Sequence, residues 1–317
     1  MTSARTQPLP STLNTWLENV RTLTATALAN AVQPTPASAR LALAGMTQQL
    51  GGTGPKIACV TPLVLPECPQ VALRLYDPAP DQHRATLLYI HGGGHMAGSI
   101  DVYDPIIRRV AHATQCRTVA IEYRLAPEHP YPAGLEDCKN VLRALPAWIA
   151  AHGGAQHEPV IVAGDSGGGA LTATLAAHAL TDASLRIRGQ ILIYPSLDYT
   201  LSQPSVQENG QGYLLDADKI RWYFDNYFQA QENRRVASPL FMPMSGMAPT
   251  LLFTAGYCPL RDEGYAYAQG LQEAGVACNH HHLADMIHAY LNIHTLVPQA
   301  CDMTYQTMGN WVESLLR

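Results

Sequence analysis

A serine set among glycines, Gly164-Asp165-Ser166-Gly167-Gly168, closes an apolar run at residues 159–163 and opens a run of small residues at 168–180. A strand turning this sharply into a helix is a nucleophile elbow. Ser166 stands at its tip, and Gly164 and Gly168 leave free the space that side chains would block. The chemistry implied is acyl transfer by an exposed Oγ. A bare G-x-S-x-G also arises by chance, and 24 glycines in 317 residues raise that rate. The flanking strand and helix signals therefore carry the weight.

A second glycine run supports the same chemistry. Residues 85–90 read as a strand that ends in His91-Gly92-Gly93-Gly94. The backbone N–H groups of such a loop can surround a developing oxyanion with no side chain in the way. A phosphate cradle would need a following Gly-Lys-Ser/Thr, which is not there. The serine also needs a base. Of 13 histidines, His288 is the one that is apolar-flanked and just past a late strand, read at 276–283. Serine first and histidine after the final strand is the order a hydrolase of this elbow type requires.

Six motifs in sequence order, His91-Gly-Gly-Gly94, Glu122-Tyr-Arg-Leu-Ala-Pro-Glu-His-Pro130, Gly164-Asp-Ser-Gly-Gly168, Ile191-Leu-Ile-Tyr-Pro195, Pro259-Leu-Arg-Asp-Glu-Gly264 and Met286-Ile-His288, resemble the signatures of the hormone-sensitive-lipase-like bacterial esterases, the family IV carboxylesterases. The resemblance covers about residues 57–317; the first fifty or so match only in being helical. It implies an α/β-hydrolase fold with a mostly parallel eight-stranded sheet, flanking helices and a helical cap. It also implies a serine esterase acting on short-chain acyl esters through an acyl-enzyme, with no cofactor and no metal. The oxyanion is expected on the N–H groups of Gly92, Gly93 and Gly167, and a homodimer through an edge strand, here the histidine-rich one. Glu122, Tyr123, Arg124 and Glu128 are expected to brace the active-site loop, and His95 stands where relatives carry an aromatic residue.

One departure from the family touches the mechanism. The loop before Pro259 normally supplies the triad acid, and this chain has Cys258 there. That acid accepts the histidine Nδ1–H, fixes the tautomer and stabilises the imidazolium, which a neutral thiol does poorly. Three readings follow. The acid is relocated, to Asp285, where relatives have glycine, or to Asp262 as second candidate; or Ser166 and His288 work as a weakened dyad; or the chain is an impaired hydrolase that only binds a ligand. Retention of His288 argues against a pure binder. An amidase, deacetylase or acyltransferase would share every motif. Cys258 as nucleophile is redundant beside an intact serine elbow.

The elements that must position these residues alternate along the chain. Strands are read at 57–65, 70–76, 85–90, 117–123, 159–163, 188–194 and 250–255, with helices at 102–115, 134–151, 168–180 and 295–315. Such alternation argues for a parallel sheet covered on both faces. The expected division is a cap part at 1–54, a catalytic core at 55–195 and 240–317, and a cap insertion at 196–239 holding an aromatic helix at 220–228. Amphipathic helices at about 12–30 and 37–50 should pack with that insertion over the core.

Composition fits one well-packed enzyme, 47% hydrophobic and 14% charged. A net charge of −5 with no basic cluster gives no case for nucleic acid. The uncharged stretch 22–39 is interrupted by Asn30, Gln33, Pro34 and Pro36, so no membrane span is expected. No basic-then-apolar leader is evident, and seven scattered cysteines fit a reduced, cytoplasmic protein. The run His280-His281-His282 lacks further ligands nearby and reads as an edge-strand patch.

Overall fold

The central strands are mostly apolar because both their faces are covered. β3 (Thr86–Ile90), β5 (Val160–Asp165) and β6 (Gly189–Ile193) are buried at every position, as parallel strands between two helical layers must be. The structure, a computed structural model, describes residues 7–80, 82, 84–154 and 158–317, Leu28 by its backbone alone. Residues 1–6 of the expected segment 1–54 therefore lie outside the described residues. With β1 (Cys59–Leu63), β2 (Ala72–Asp77), β4 (Arg117–Glu122), β7 (Thr250–Tyr257) and β8 (Cys278–Ile287) the strands form one eight-stranded sheet, ordered β1-β2-β4-β3-β5-β6-β7-β8. The β1–β2 and β2–β4 pairs are antiparallel and the rest parallel, which is the mostly parallel sheet expected.

Alternation along each strand divides the interior into two layers. Leu87 and Tyr89 of β3 face α3 (Ile100–Thr114) and α10 (Pro298–Leu315). Leu88 and Ile90 face α4 (Ala133–Ala151) and α5 (Ser166–His178). Helix α9 (Arg261–Glu273) packs against β7 and β8. Sequence periodicity did not announce it, because its buried face includes Arg261 and Glu263 beside Tyr267 and Leu271.

Two further segments roof the ends of the central strands. Helices α1 (Ser11–Ala29) and α2 (Pro36–Leu50) precede the sheet. Thr35 caps α2 reciprocally: its Oγ1 accepts the Ser38 N–H at 3.1 Å and the Ser38 Oγ accepts the Thr35 N–H at 2.9 Å. Arg40 then ties α2 to the core, donating to the carbonyls of Met96 (2.9 Å) and Ala126 (3.0 Å) and to Glu128 (2.9 Å). The other segment follows β6 and carries α6 (Pro204–Glu208), α7 (Ala217–Tyr227) and α8 (Arg234–Ala237), more helical than the single helix read at 220–228. Strand β8 also runs on to Ile287, past the expected end at 283, because a register shift after Ala255 lets Tyr257 pair with Ile287. No helix among the described residues is long and apolar enough to cross a membrane.

Candidate active site

Strand β5 hands over to α5 at Ser166, whose φ is +52°. A non-glycine residue in that left-handed region stores about 1–3 kcal/mol of strain, held here by the packing around it. A side chain at Gly168 would run into the carbonyls of Ile90 and His91, and one at Gly164 into Gly168. The glycine spacing is therefore a requirement of the turn. The Ser166 Oγ it presents lies 2.8 Å from His288 Nε2. His288 follows directly on the last residue of β8 and is 5% exposed, its ring edge-on to Tyr194 at 4.9 Å.

At the other face of the imidazole the structure sets Cys258, and neither candidate carboxylate. Its Sγ lies 3.2 Å from His288 Nδ1 and accepts the Leu260 N–H at 3.3 Å. Asp285, read as the relocated acid, sits on β8, its side chain in no hydrogen bond or ion pair among the described residues. It belongs to the strand before the histidine loop, and the side of the ring it would have to reach is filled by the thiol. Asp262 is committed elsewhere: it accepts the Ser205 N–H at 2.9 Å and pairs with Arg261 at 2.7 Å, joining α6 to α9. Asn209 and Arg261 both donate to the Gly256 carbonyl at 3.2 Å, and Asn209 to that of Cys258 at 3.0 Å, so the loop itself is fixed. Asp262→Asn and Asp285→Asn are each expected to change kcat/KM by less than about threefold in a steady-state assay. The first should also cost roughly 1–2 kcal/mol in denaturant unfolding.

The electrostatics make His288 a weak base. Burial pushes the Cys258 thiol well up, so it stays neutral and lends the ring no charge. Burial, and then the Lys219 ammonium, lower His288 from 6.5 to about 3. The imidazole must be neutral to take the serine proton. Activity is therefore expected to stay level as pH falls through 6.5 and to decline only toward about 3. A pH–rate profile of kcat/KM checks this; an acid limb centred near 6.5 would refute it.

The glycine loop after β3 is fastened to the elbow by Asp165. Its buried carboxylate accepts the Gly92 N–H at 2.8 Å and the hydroxyls of Tyr89 and Tyr103, each at 3.1 Å. Burial raises Asp165 to about 6 despite these donors. Gly92, expected to bind the oxyanion, thus has its N–H occupied. The N–H groups of Gly93 and Gly94 go to no other group among the described residues, and Gly94 lies against Gly167 across the cavity floor. Among the described residues the free N–H groups of this loop are those of Gly93 and Gly94 rather than Gly92; which glycine is free depends on Asp165, and local sequence does not show that. Around this loop Tyr123 donates to the His91 carbonyl at 2.9 Å and stacks on its ring at 4.5 Å, and Arg124 pairs with Asp137 at 2.8 Å. His95 packs flat on Tyr227, 3.9 Å between centroids.

The cavity above Ser166 is lined from α2 by Leu43 and Met46 and from the insertion by Leu214, Ile220, Tyr223 and Phe224, with Lys219 beside them. Apart from the aromatic stretch at 220–228, none of these carries a signal in the sequence, because each acts only through the position of its helix or loop over the sheet. Farther off, His280 Nε2 and His282 Nδ1 both meet Thr254 Oγ1, at 2.8 and 3.0 Å.

Residues 87–292 match a family described as alpha/beta hydrolase fold. The chain is similar to the esterase LipI of Mycobacterium tuberculosis, 36% identical over 244 residues, 74% of this chain and 75% of that protein. It is likewise similar to ethyl acetate hydrolase of Pseudomonas putida, 34% identical over 237 residues, 72% of this chain and 74% of that protein. A solved esterase of Pyrobaculum calidifontis superposes with a TM-score of 0.84 at 28% identity, covering 97% of this chain and 99% of the other.

Proposed function

Because the chain belongs to the α/β-hydrolase-fold carboxylesterases related to hormone-sensitive lipase, and is a carboxylic ester hydrolase, we propose that it cleaves short-chain acyl esters through an acyl-enzyme on Ser166. The observation that carries this is the 2.8 Å contact of Ser166 Oγ with His288 Nε2 at the floor of an apolar cavity, beside glycine N–H groups that have no other acceptor among the described residues.

His288 takes the Ser166 proton as Oγ attacks the ester carbonyl. The N–H groups of Gly93, Gly94 and Gly167 receive the oxyanion, helped by the positive end of α5. His288 then gives its proton to the leaving alcohol, and a water activated by the same nitrogen hydrolyses the acyl-enzyme. Cys258 holds Nδ1 in place and supplies no countercharge to the imidazolium, so both chemical steps are slow. A cavity of about 130 Å³ favours a short acyl group. Helices α1, α2 and α7 serve as a cap that keeps water from the acylation step.

A stoichiometric burst of 4-nitrophenol from 4-nitrophenyl butyrate tests this, with fluorophosphonate labelling located at Ser166 by mass spectrometry. A chain that neither turns over the ester nor takes the label would overturn the reading.

A further inference from the structure

Among the described residues the cavity over Ser166 is lined by a single lysine, Lys219, whose charge meets only the field of Asp216. Lys219 makes no hydrogen bond or ion pair among the described residues, while its helix neighbour Asp218 pairs with Arg221 at 2.7 Å and Asp216 accepts the Gly212 N–H at 2.9 Å. Lys219 is an exposed residue, yet desolvation by the surrounding protein lowers its pKa despite the opposing field of Asp216. Both hold together for an ammonium standing inside an open mouth, reachable by water and walled by apolar groups. The one carboxylate lining the cavity, Asp165, is taken by Gly92, Tyr89 and Tyr103. A second polar group points the same way: Ser196 lines this cavity, is 4% exposed, and its Oγ has no hydrogen-bond partner. A buried hydroxyl without a partner is costly unless something polar completes it, and a water-reachable ammonium lining the same cavity supplies the charge that an anionic group would meet.

We propose that Lys219 and Ser196 recognise an anionic group on the substrate, so that the preferred esters carry a carboxylate. This rests on the esterase reading above and narrows it to a substrate class. It also bears on the step that Cys258 weakens. The imidazolium formed on His288 is repelled by Lys219 and unassisted by the thiol. A carboxylate seated at Lys219 brings a negative charge into that field and offsets the repulsion, so the substrate contributes part of what the missing acid would have supplied. Selectivity should then appear in kcat as well as in KM.

The experiment compares matched esters that differ in one carboxylate. On the acyl side these are 4-nitrophenyl hydrogen glutarate and 4-nitrophenyl valerate; on the alcohol side, 4-carboxyphenyl butyrate and phenyl butyrate. The wild-type chain is expected to favour the carboxylate member of at least one pair by about tenfold or more in kcat/KM, and the pair that shows it identifies the side. Lys219→Met should abolish the preference while raising the rate on the neutral member, since the repulsion on His288 is gone; a merely loosened pocket would lower both. Ser196→Ala should reduce the preference a few-fold. Equal ratios in wild type and Lys219→Met would overturn the inference. Failure of wild type on every ester would instead overturn the esterase reading. In that case calorimetric titration of Ser166→Ala with the two acyl-side esters still decides, because a tenfold loss of affinity for the carboxylate member on adding Lys219→Met supports the anion site and equal affinities refute it.

Discussion

Cys258→Asp is expected to raise kcat on a short-chain ester by about 10²–10⁴. Removing the corresponding carboxylate from a well-studied serine protease lowers kcat by about 10⁴, which sets the upper bound. The site is prepared for the change. Sγ already lies 3.2 Å from His288 Nδ1 and 3.3 Å from the Leu260 N–H, so a carboxylate there would find two donors, one per oxygen. It would also supply the charge that favours the imidazolium. The acid limb of the pH–rate profile should therefore move up from about 3 toward the ordinary histidine range while the plateau rises. Burying a carboxylate where a neutral thiol stood has a cost, and thermal stability should fall slightly. Stopped-flow and steady-state rates on 4-nitrophenyl butyrate for the two proteins decide it. A gain below about threefold with no shift of the limb would mean that Cys258 is not the position that limits the base.

The second large effect depends on that background. In the Cys258→Asp protein, Ser166→Ala is expected to cost about 10⁵–10⁶ in kcat, as nucleophile removal does when all three partners act together. In the Cys258 protein the same change should cost only on the order of 10². Groups that work as a unit are non-additive, and the loss belonging to the acid is already present. Measuring both Ser166→Ala variants closes a double-mutant cycle. A coupling near zero, with equal losses in both backgrounds, would show that serine and the residue at 258 do not act through the same histidine.

Much of the site was legible because backbone sterics write themselves into sequence. Gly164 and Gly168 are needed wherever a strand folds onto a helix this closely, and the all-buried strands β3, β5 and β6 are apolar at nearly every position for the same reason. The position of His288 followed from chain order. Other features depend on contacts distant in sequence. Asp165 chooses which glycine N–H stays free, so Gly92 and Gly94 cannot be told apart from the motif alone. Asp285 looked suitable because a lost carboxylate seemed matched by a gained one three residues before the histidine. Strand β8, however, continues through 285, and the bond to Nδ1 is decided by the loop after β7, where Asn209 and Arg261 hold the backbone. Helix α9 was hidden because Arg261 and Glu263 occupy its buried face. Lys219 carries no signal in the sequence, because only the placement of α7 brings it to the cavity.

Asp165 joins Gly92 and the elbow into one block with Tyr89 and Tyr103, whereas Cys258 hangs from a separate loop beyond β7. The groups proposed to shape the transition state and the group proposed to steer proton transfer thus sit on different loops. An evolving lineage could lower or restore turnover through position 258 alone, without relearning how to hold its substrate.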